Sequence, residues 1–257
     1  MVERMKLDKD LKKQLDEFHD NAALAAEEVL FETFPRKILE LQALITSSTS
    51  PSSPFHFSHS STTDTTVYPP PVSLASSEPD SKKRKLDGGQ ANGNCGLTAG
   101  NALEGARYLN LTVENKHLAS VHGLIKKECE ELADAIDKVK LWINLSMPKI
   151  EDGDNFGVQI QEEVLTELHR SQESAYNLRD SARQSHMNRA KLCSKLIKYP
   201  HIEDYTLALK EHDEKQLYIA RQNLFDIRNV YAILTDILHK NLHKIRSPKG
   251  NNATALY

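Results

Sequence analysis

Residues 115–143 read NKHLASVHGLIKKECEELADAIDKVKLWI, and this stretch decides the fold. Leu118, Val121, Ile125, Cys129, Leu132, Ile136, Val139 and Ile143 step by three or four throughout. Such steps gather side chains on one face of a helix, whereas a strand would alternate every second residue. Asn115 stands where a helix needs an N-cap, because its side-chain oxygen can accept an orphan N–H of the first turn. Pro148, which lacks an N–H, ends the run.

The same reading extends outward. Residues 158–199 carry Ile160, Val164 and Leu168, then Leu192 and Leu196, and the break falls at Tyr199-Pro200-His201. From Glu203 onward, Ile227, Tyr231, Leu234, Leu238, Leu242 and Ile245 make one stripe. Val230, Ile233 and Ile237 make a second beside it, so this helix needs either a central place in a bundle or a neighbouring subunit. Toward the N-terminus, residues 3–46 carry Leu7, Leu11, Leu15, Phe18, Ala22, Ala25 and Val29, then Ile38, Leu41 and Ile45. Pro35 is expected to kink or restart that helix.

Glycine and proline, ten of each, confirm the division. Residues 158–199 and 201–247 contain neither, residues 106–147 only Gly123, and residues 1–46 only Pro35. Stretches so free of punctuation exclude a set of short strands and turns. The expected fold is all-α: an elongated four-helix bundle, in which a 42-residue helix would run about 63 Å. Between its first and second helices, residues 46–81 hold 18 Ser or Thr and 6 Pro, too little apolar surface to offset the entropy of ordering. Residues 47–105 are therefore expected to form a disordered linker. The bundle takes residues 3–46 and 106–247, with an interhelical loop at 148–158 and a tail at 248–257.

Charge and chemistry narrow the function. With 33 Lys+Arg against 36 Asp+Glu the net charge is −3, which gives no footprint for nucleic acid. No apolar run approaches the roughly 18 residues of a membrane span, and a terminus charged from residue 3 is no secretory signal. Cys95, Cys129 and Cys193 have no close pairing, so neither a disulfide framework nor a zinc site is expected. The Gly-rich run Gly88–Gly105 has no lysine for a phosphate loop. A di-iron bundle needs two Glu-x-x-His pairs and further Glu, and only Glu114…His117 is present. His239 and His243, four apart in a lysine-rich last turn, read as compensation of the helix dipole. No catalytic residue, cofactor or metal is expected, and the chain reads as a non-enzyme.

The loop between the second and third helices is the richest stretch: Lys149, Ile150, Glu151, Asp152, Gly153, Asp154, Asn155, Phe156 and Gly157. Counting Asp152 as position one of an EF-hand puts Asp154 at three, Gly157 at six and Glu163 at twelve, but Phe156 at five, where an oxygen is needed. A plain interhelical turn would use Asp-Gly and Asn-x-Gly, yet would not explain an exposed Ile and Phe.

From Pro148 to Glu163 this loop resembles the activation loop of the 11S proteasome activators. Lys140-x-Trp142, Lys198-Tyr199-Pro200-His201-x-Glu203-Asp204-Tyr205, the terminal Leu256-Tyr257 and Phe34-Pro35-x-Lys37-x-Leu39-Glu40-Leu41 are similar too. The likeness covers both helical portions, about residues 5–46 and 115–257. A short basic run followed by Leu86-Asp87 is similar to the gamma type. The resemblance implies a four-helix protomer in a homoheptameric ring that caps the proteasome core particle without ATP. It implies docking through Ala255, Leu256 and Tyr257, and gate opening by Lys149 to Gly157. Asp154 stands where the family usually has Asn. Lys82, Lys83, Arg84 and Lys85 read as a nuclear localisation signal, which places the protein in the nucleus, with the cytoplasm as a second location. Removing Leu256-Tyr257 is then expected to abolish docking, whereas changing Asn155 or Gly157 should spare docking and abolish stimulation. The other readings are a calcium-binding helical protein using Asp152 to Glu163, and an oligomeric scaffold without gate function.

Overall fold

A computed structural model describes residues 8–66, 113–149 and 155–249, and among these the regular structure is entirely helical. Helix α1 spans Lys9–Glu28 and passes through a five-residue π turn, Val29–Thr33, into α2, Phe34–Ser47. After a short 3-10 turn at Phe57–Thr62 come three long helices: α3 Lys116–Ser146, α4 Phe156–Lys198 and α5 Glu203–Arg246. At 1.5 Å per residue, the 43 and 44 residues of α4 and α5 run about 65 Å.

Helix α3 forms as its sequence dictates. The Asn115 side chain accepts the Leu118 N–H at 3.1 Å, and all eight stripe residues are buried. Phe34, Leu41, Leu132, Ile136, Leu168, Leu224, Ile227 and Tyr231 fill the core between the helices. Phe34 meets Tyr231 edge-on, ring centroids 5.3 Å apart. Burial pushes the Cys129 thiol up to about 12, so it stays protonated and packs as a small apolar group. Lys37 on α2 reaches Glu128 at 2.9 Å and also Glu131, tying the first rod to α3 at mid-length.

Pro35 acts through its missing donor. In the π register the Phe34 N–H bonds the Val29 carbonyl five residues back. Pro35 has no N–H to give the next carbonyl, that of Leu30. His239 on α5 supplies it instead: its Nε2 donates to Leu30 O at 3.1 Å, and its ring lies 5.2 Å from that of Phe31. His239 thus joins the first rod to α5, a contact that its position in a lysine-rich last turn did not suggest.

Two expectations need correction. The linker does not begin at residue 47. Residues 48–66 form turns that satisfy themselves locally, with Ser48 Oγ donating to Ile45 O at 2.7 Å and Thr62 Oγ1 to His59 O at 2.7 Å. Phe55 anchors this strap, fully buried in the main core. His117 Nε2 donates to Pro54 O at 2.7 Å, and the His59 and His117 rings stack at 4.0 Å. Composition alone missed a segment held by one aromatic anchor and its own hydroxyls. Residues 67–105, with the basic run Lys82 to Lys85, lie outside the described residues.

The second correction concerns α1, whose first apolar residues, Leu11, Leu15 and Phe18, stand about half exposed, burial beginning only at Ala22. The second stripe of α5 divides between the two alternatives stated for it. That helix does pack on α2, α3 and α4 together, and Val230 and Ile237 lie against the core. Ile233, however, is half exposed, so a central position does not account for the whole stripe.

Truncating the strap's anchor tests its role. Phe55→Ala is expected to cost about 3–5 kcal/mol in chemical denaturation. It should also open residues 48–66 to limited proteolysis.

Candidate functional site

The ends of α3, α4 and α5 meet at one end of the bundle, and the loop and the tail both leave from there. Helix α3 stops at Ser146, and Met147 turns to an extended conformation (φ −61°, ψ 130°), as a residue before proline must. Pro148 and Lys149 follow. Ile150, Glu151, Asp152, Gly153 and Asp154 lie outside the described residues. The chain re-enters at Asn155 (φ −106°, ψ 9°), whose carbonyl accepts the Gln159 N–H at 2.9 Å and so starts α4. Phe156, the first residue of α4, is more than half exposed.

Gly157 is buried, and the reason is steric. A Cβ there would lie 2.0 Å from Pro248 O and 2.6 Å from Pro248 C and Cα. Only glycine lets the start of α4 approach this backbone. Four residues on, Gln161 is fully buried on the same face. Its Nε2 donates to Ile245 O at 2.9 Å and to Ser146 Oγ at 3.3 Å. Its Oε1 has no partner among the described residues. Ile245 O is one of the four carbonyls that the end of α5 leaves without an intrahelical donor, so Gln161 caps α5 from the side of α4. Lys249 Nζ reaches Lys149 O at 3.2 Å. Arg246 pairs with Glu27 of α1 at 2.6 Å, and with His243 and Lys244 it sets positive charge on the last turn of α5, where the helix dipole favours it.

Of the nine loop residues named from sequence, the structure places Lys149, Asn155, Phe156 and Gly157 together at this end. Ala255, Leu256 and Tyr257 lie outside the described residues, though the root of their tail, Ser247 to Lys249, is described and packs on the loop base. Sequence reasoning missed Gln161, Ser146, Ile245 and Pro248. One signal was available: Gly157, Gln161, Val164 and Leu168 step by three or four, which places an amide on a buried face.

The calcium reading fails on this geometry. Phe156 to Glu163 would be positions five to twelve of an EF-hand, and all of them are helical. A helix cannot wrap the ligands of positions seven, nine and twelve around one ion. Glu163 instead accepts the Gln159 side-chain amide at 3.1 Å.

Comparison with known proteins gives consistent matches. The family model described as "Proteasome activator PA28, C-terminal" matches residues 111–255, and "Proteasome activator PA28, N-terminal" matches residues 9–53. The chain is 33% identical to proteasome activator complex subunit 3 of Homo sapiens over the full length of both. It is 32% identical to proteasome activator 28 of Dictyostelium discoideum over 60% of this chain and 71% of that one. Among solved structures, the 11S subunit of the Plasmodium falciparum proteasome, PA28, superposes with a TM-score of 0.74 at 31% identity, covering 97% of this chain and 99% of that one. A chain from a complex of an archaeal 20S proteasome with a mutated activator superposes with a TM-score of 0.58 at 12% identity, over 96% and 99% of the two chains, a likeness of fold alone.

Proposed function

The chain belongs to the PA28 proteasome activator family, with its full-length similarity to the gamma-type subunit, and from that premise we propose that it opens the gate of the proteasome core particle without ATP. The observation that carries this reading is the convergence of loop base and tail root at one end of a rigid bundle, through Gly157 against Pro248 and Gln161 on Ile245 O. A tail that docks in a partner's pocket there sets the loop beside the partner's gate. Capture of a C-terminal carboxylate is a recurrent mode of recognition, and Ala255, Leu256 and Tyr257 are the residues we assign to it. The loop, Lys149 to Gly157, shifts the gate only if it contacts the open state more tightly than the closed one.

Assembly multiplies a weak contact. Several tails on one ring bind by effective concentration and gain about 10²-fold or more in avidity. A homoheptamer is the ring we propose. The half-exposed Ile233 on α5, which the core of its own chain does not cover, supports a neighbouring subunit. The basic run Lys82 to Lys85 supports entry to the nucleus.

The experiment is direct. Added to isolated core particle without nucleotide, the assembled protein should raise peptide hydrolysis, and removal of Leu256-Tyr257 should abolish both docking and stimulation. No stimulation at saturating protein would end the proposal, and a ring that binds without stimulating would make the protein a scaffold. The mass of the assembly gives the subunit count.

A further inference from the structure

Family membership gives the loop and the tail separate tasks, and the sequence reading expected Gly157 to serve only the loop. The geometry joins them. Gly157 lies two residues past Asn155, at the base of the loop, and its missing side chain is what lets Pro248 sit where it does. Gln161 holds the carbonyl of Ile245 with one N–H and the hydroxyl of Ser146 with the other, so one buried amide bridges the last turns of α5 and α3. Lys249 crosses to the carbonyl of Lys149. Ile245, Pro248 and Lys249 of the described tail root are therefore each held by a residue at one or other foot of the loop.

We infer that Gly157 and Gln161 are positioning residues that couple the tail root, Ile245 to Lys249, to the base of the loop, so that seating the tail sets the position of the loop. This rests on the activator reading above and deepens it: docking and gate opening share one mechanical joint. The joint is stiff for a stated reason. The atoms facing Gly157 are backbone, and the proline ring fixes the local φ, so no rotamer change relieves pressure there. A methyl group at Gly157 would have to drive Pro248 away by about 1.4 Å, the gap between 2.0 Å and the 3.4 Å of an ordinary contact. That shift pulls on the Ile245 carbonyl, which Gln161 holds in turn.

The test uses the assembled full chain and two readouts. On isolated core particle, Gly157→Ala is expected to raise the half-maximal activator concentration about tenfold, because the tails leave the bundle from a displaced root. It should also lower maximal stimulation. Adding Pro248→Gly, whose backbone can yield, should restore the half-maximal concentration. In the free protein, Gly157→Ala and Gln161→Leu should each speed amide exchange at Ser247, whose N–H bonds the His243 carbonyl at 3.0 Å, about tenfold, with Ile136 in mid-α3 unchanged. Three results would overturn the coupling: Gly157→Ala docking at the wild-type concentration, no rescue by Pro248→Gly, or wild-type exchange at Ser247 in both variants. If the wild-type protein does not stimulate the core particle, the activator reading falls, and the exchange measurement alone still decides whether root and loop are joined.

Discussion

Replacing Asp213 with alanine is expected to cost about 3–5 kcal/mol, the loss that follows when a buried charge is stripped of its partner. Asp213 lies almost wholly buried on α5, and its carboxylate serves three segments. Arg189 Nε on α4 donates to Oδ1 at 3.0 Å, while Thr63 of the strap and Asn115 at the start of α3 each donate to Oδ2 at 3.0 Å. The Arg189 side chain is buried as well, its NH1 donating to Val113 O at 3.2 Å and its NH2 having no partner among the described residues. Remove the carboxylate and the guanidinium stays in the core uncompensated. The N-cap of α3 also loses the partner that orients it. Denaturant melts should show the loss, with a fall in Tm of about 10 °C for a chain of this size. The double variant Asp213→Leu with Arg189→Met should recover most of it, because apolar groups of similar volume often replace a buried pair without cost. If Asp213→Ala melts like the wild-type protein, this carboxylate does not hold the end together.

Acid is expected to loosen the same end. His122 on α3 is buried and its Nδ1 has no partner among the described residues. Burial pushes its pKa down to about 4, with His186, Lys126 and His212 adding to the effect and Asp213 opposing it. His212 on α5 is lowered too, chiefly by burial, and its Nε2 also has no partner among the described residues. The sign follows from linkage. In the unfolded chain a histidine takes up its proton near pH 6.5, while folded His122 resists it until about pH 4. Its contribution to stability is complete above pH 6.5 and is lost as pH falls toward 4. At 1.36 kcal/mol per unit, His122 alone removes about 2 kcal/mol by pH 5. Melts at pH 7 and pH 5 measure the loss, and His122→Leu should shrink the difference between them by about that amount. An unchanged difference would mean that other groups carry the acid sensitivity.

What the sequence revealed depended on what kind of residue was buried. Helix α3 was legible throughout because, His122 apart, the residues it buries from Leu118 to Ile143 are all apolar. Helix α4 was legible only at its ends. Its middle buries Ser171, Gln172, Ala175, Ala182, Ser185 and Arg189, small or polar groups that leave no hydropathic stripe. Gln172 shows why they are tolerated: its amide donates to Ala133 O at 3.1 Å and its carbonyl accepts Lys140 Nζ at 2.9 Å. The strap was hidden by its composition, since Phe55 is one aromatic among many hydroxyls. At the functional end, Lys149 and Asn155 to Gly157 stood out as a motif. The pairing of Gln161 with Ile245 did not, because two residues 84 apart meet only when helix lengths and the direction of α5 are known.

The π turn at Val29–Thr33 sets a rule about spacing instead of chemistry. It is the form a helix takes when it holds one residue more than its partners require. Below it the rod packs through Ala22 and Ala26, above it through Phe34, Leu41 and Ile45. Lose one residue there and the turn closes to a plain α-helix with its faces kept; gain one, and everything toward the N-terminus rotates by about 100° relative to α2. Ala22 and Ala26 would then turn off the core, and the carbonyl that His239 caps would move away. Among descendants of such a chain, the loss of one residue within Val29 to Thr33 is easier to accommodate than the gain of one, while Val29 and Leu30 stay constrained by the core that buries them.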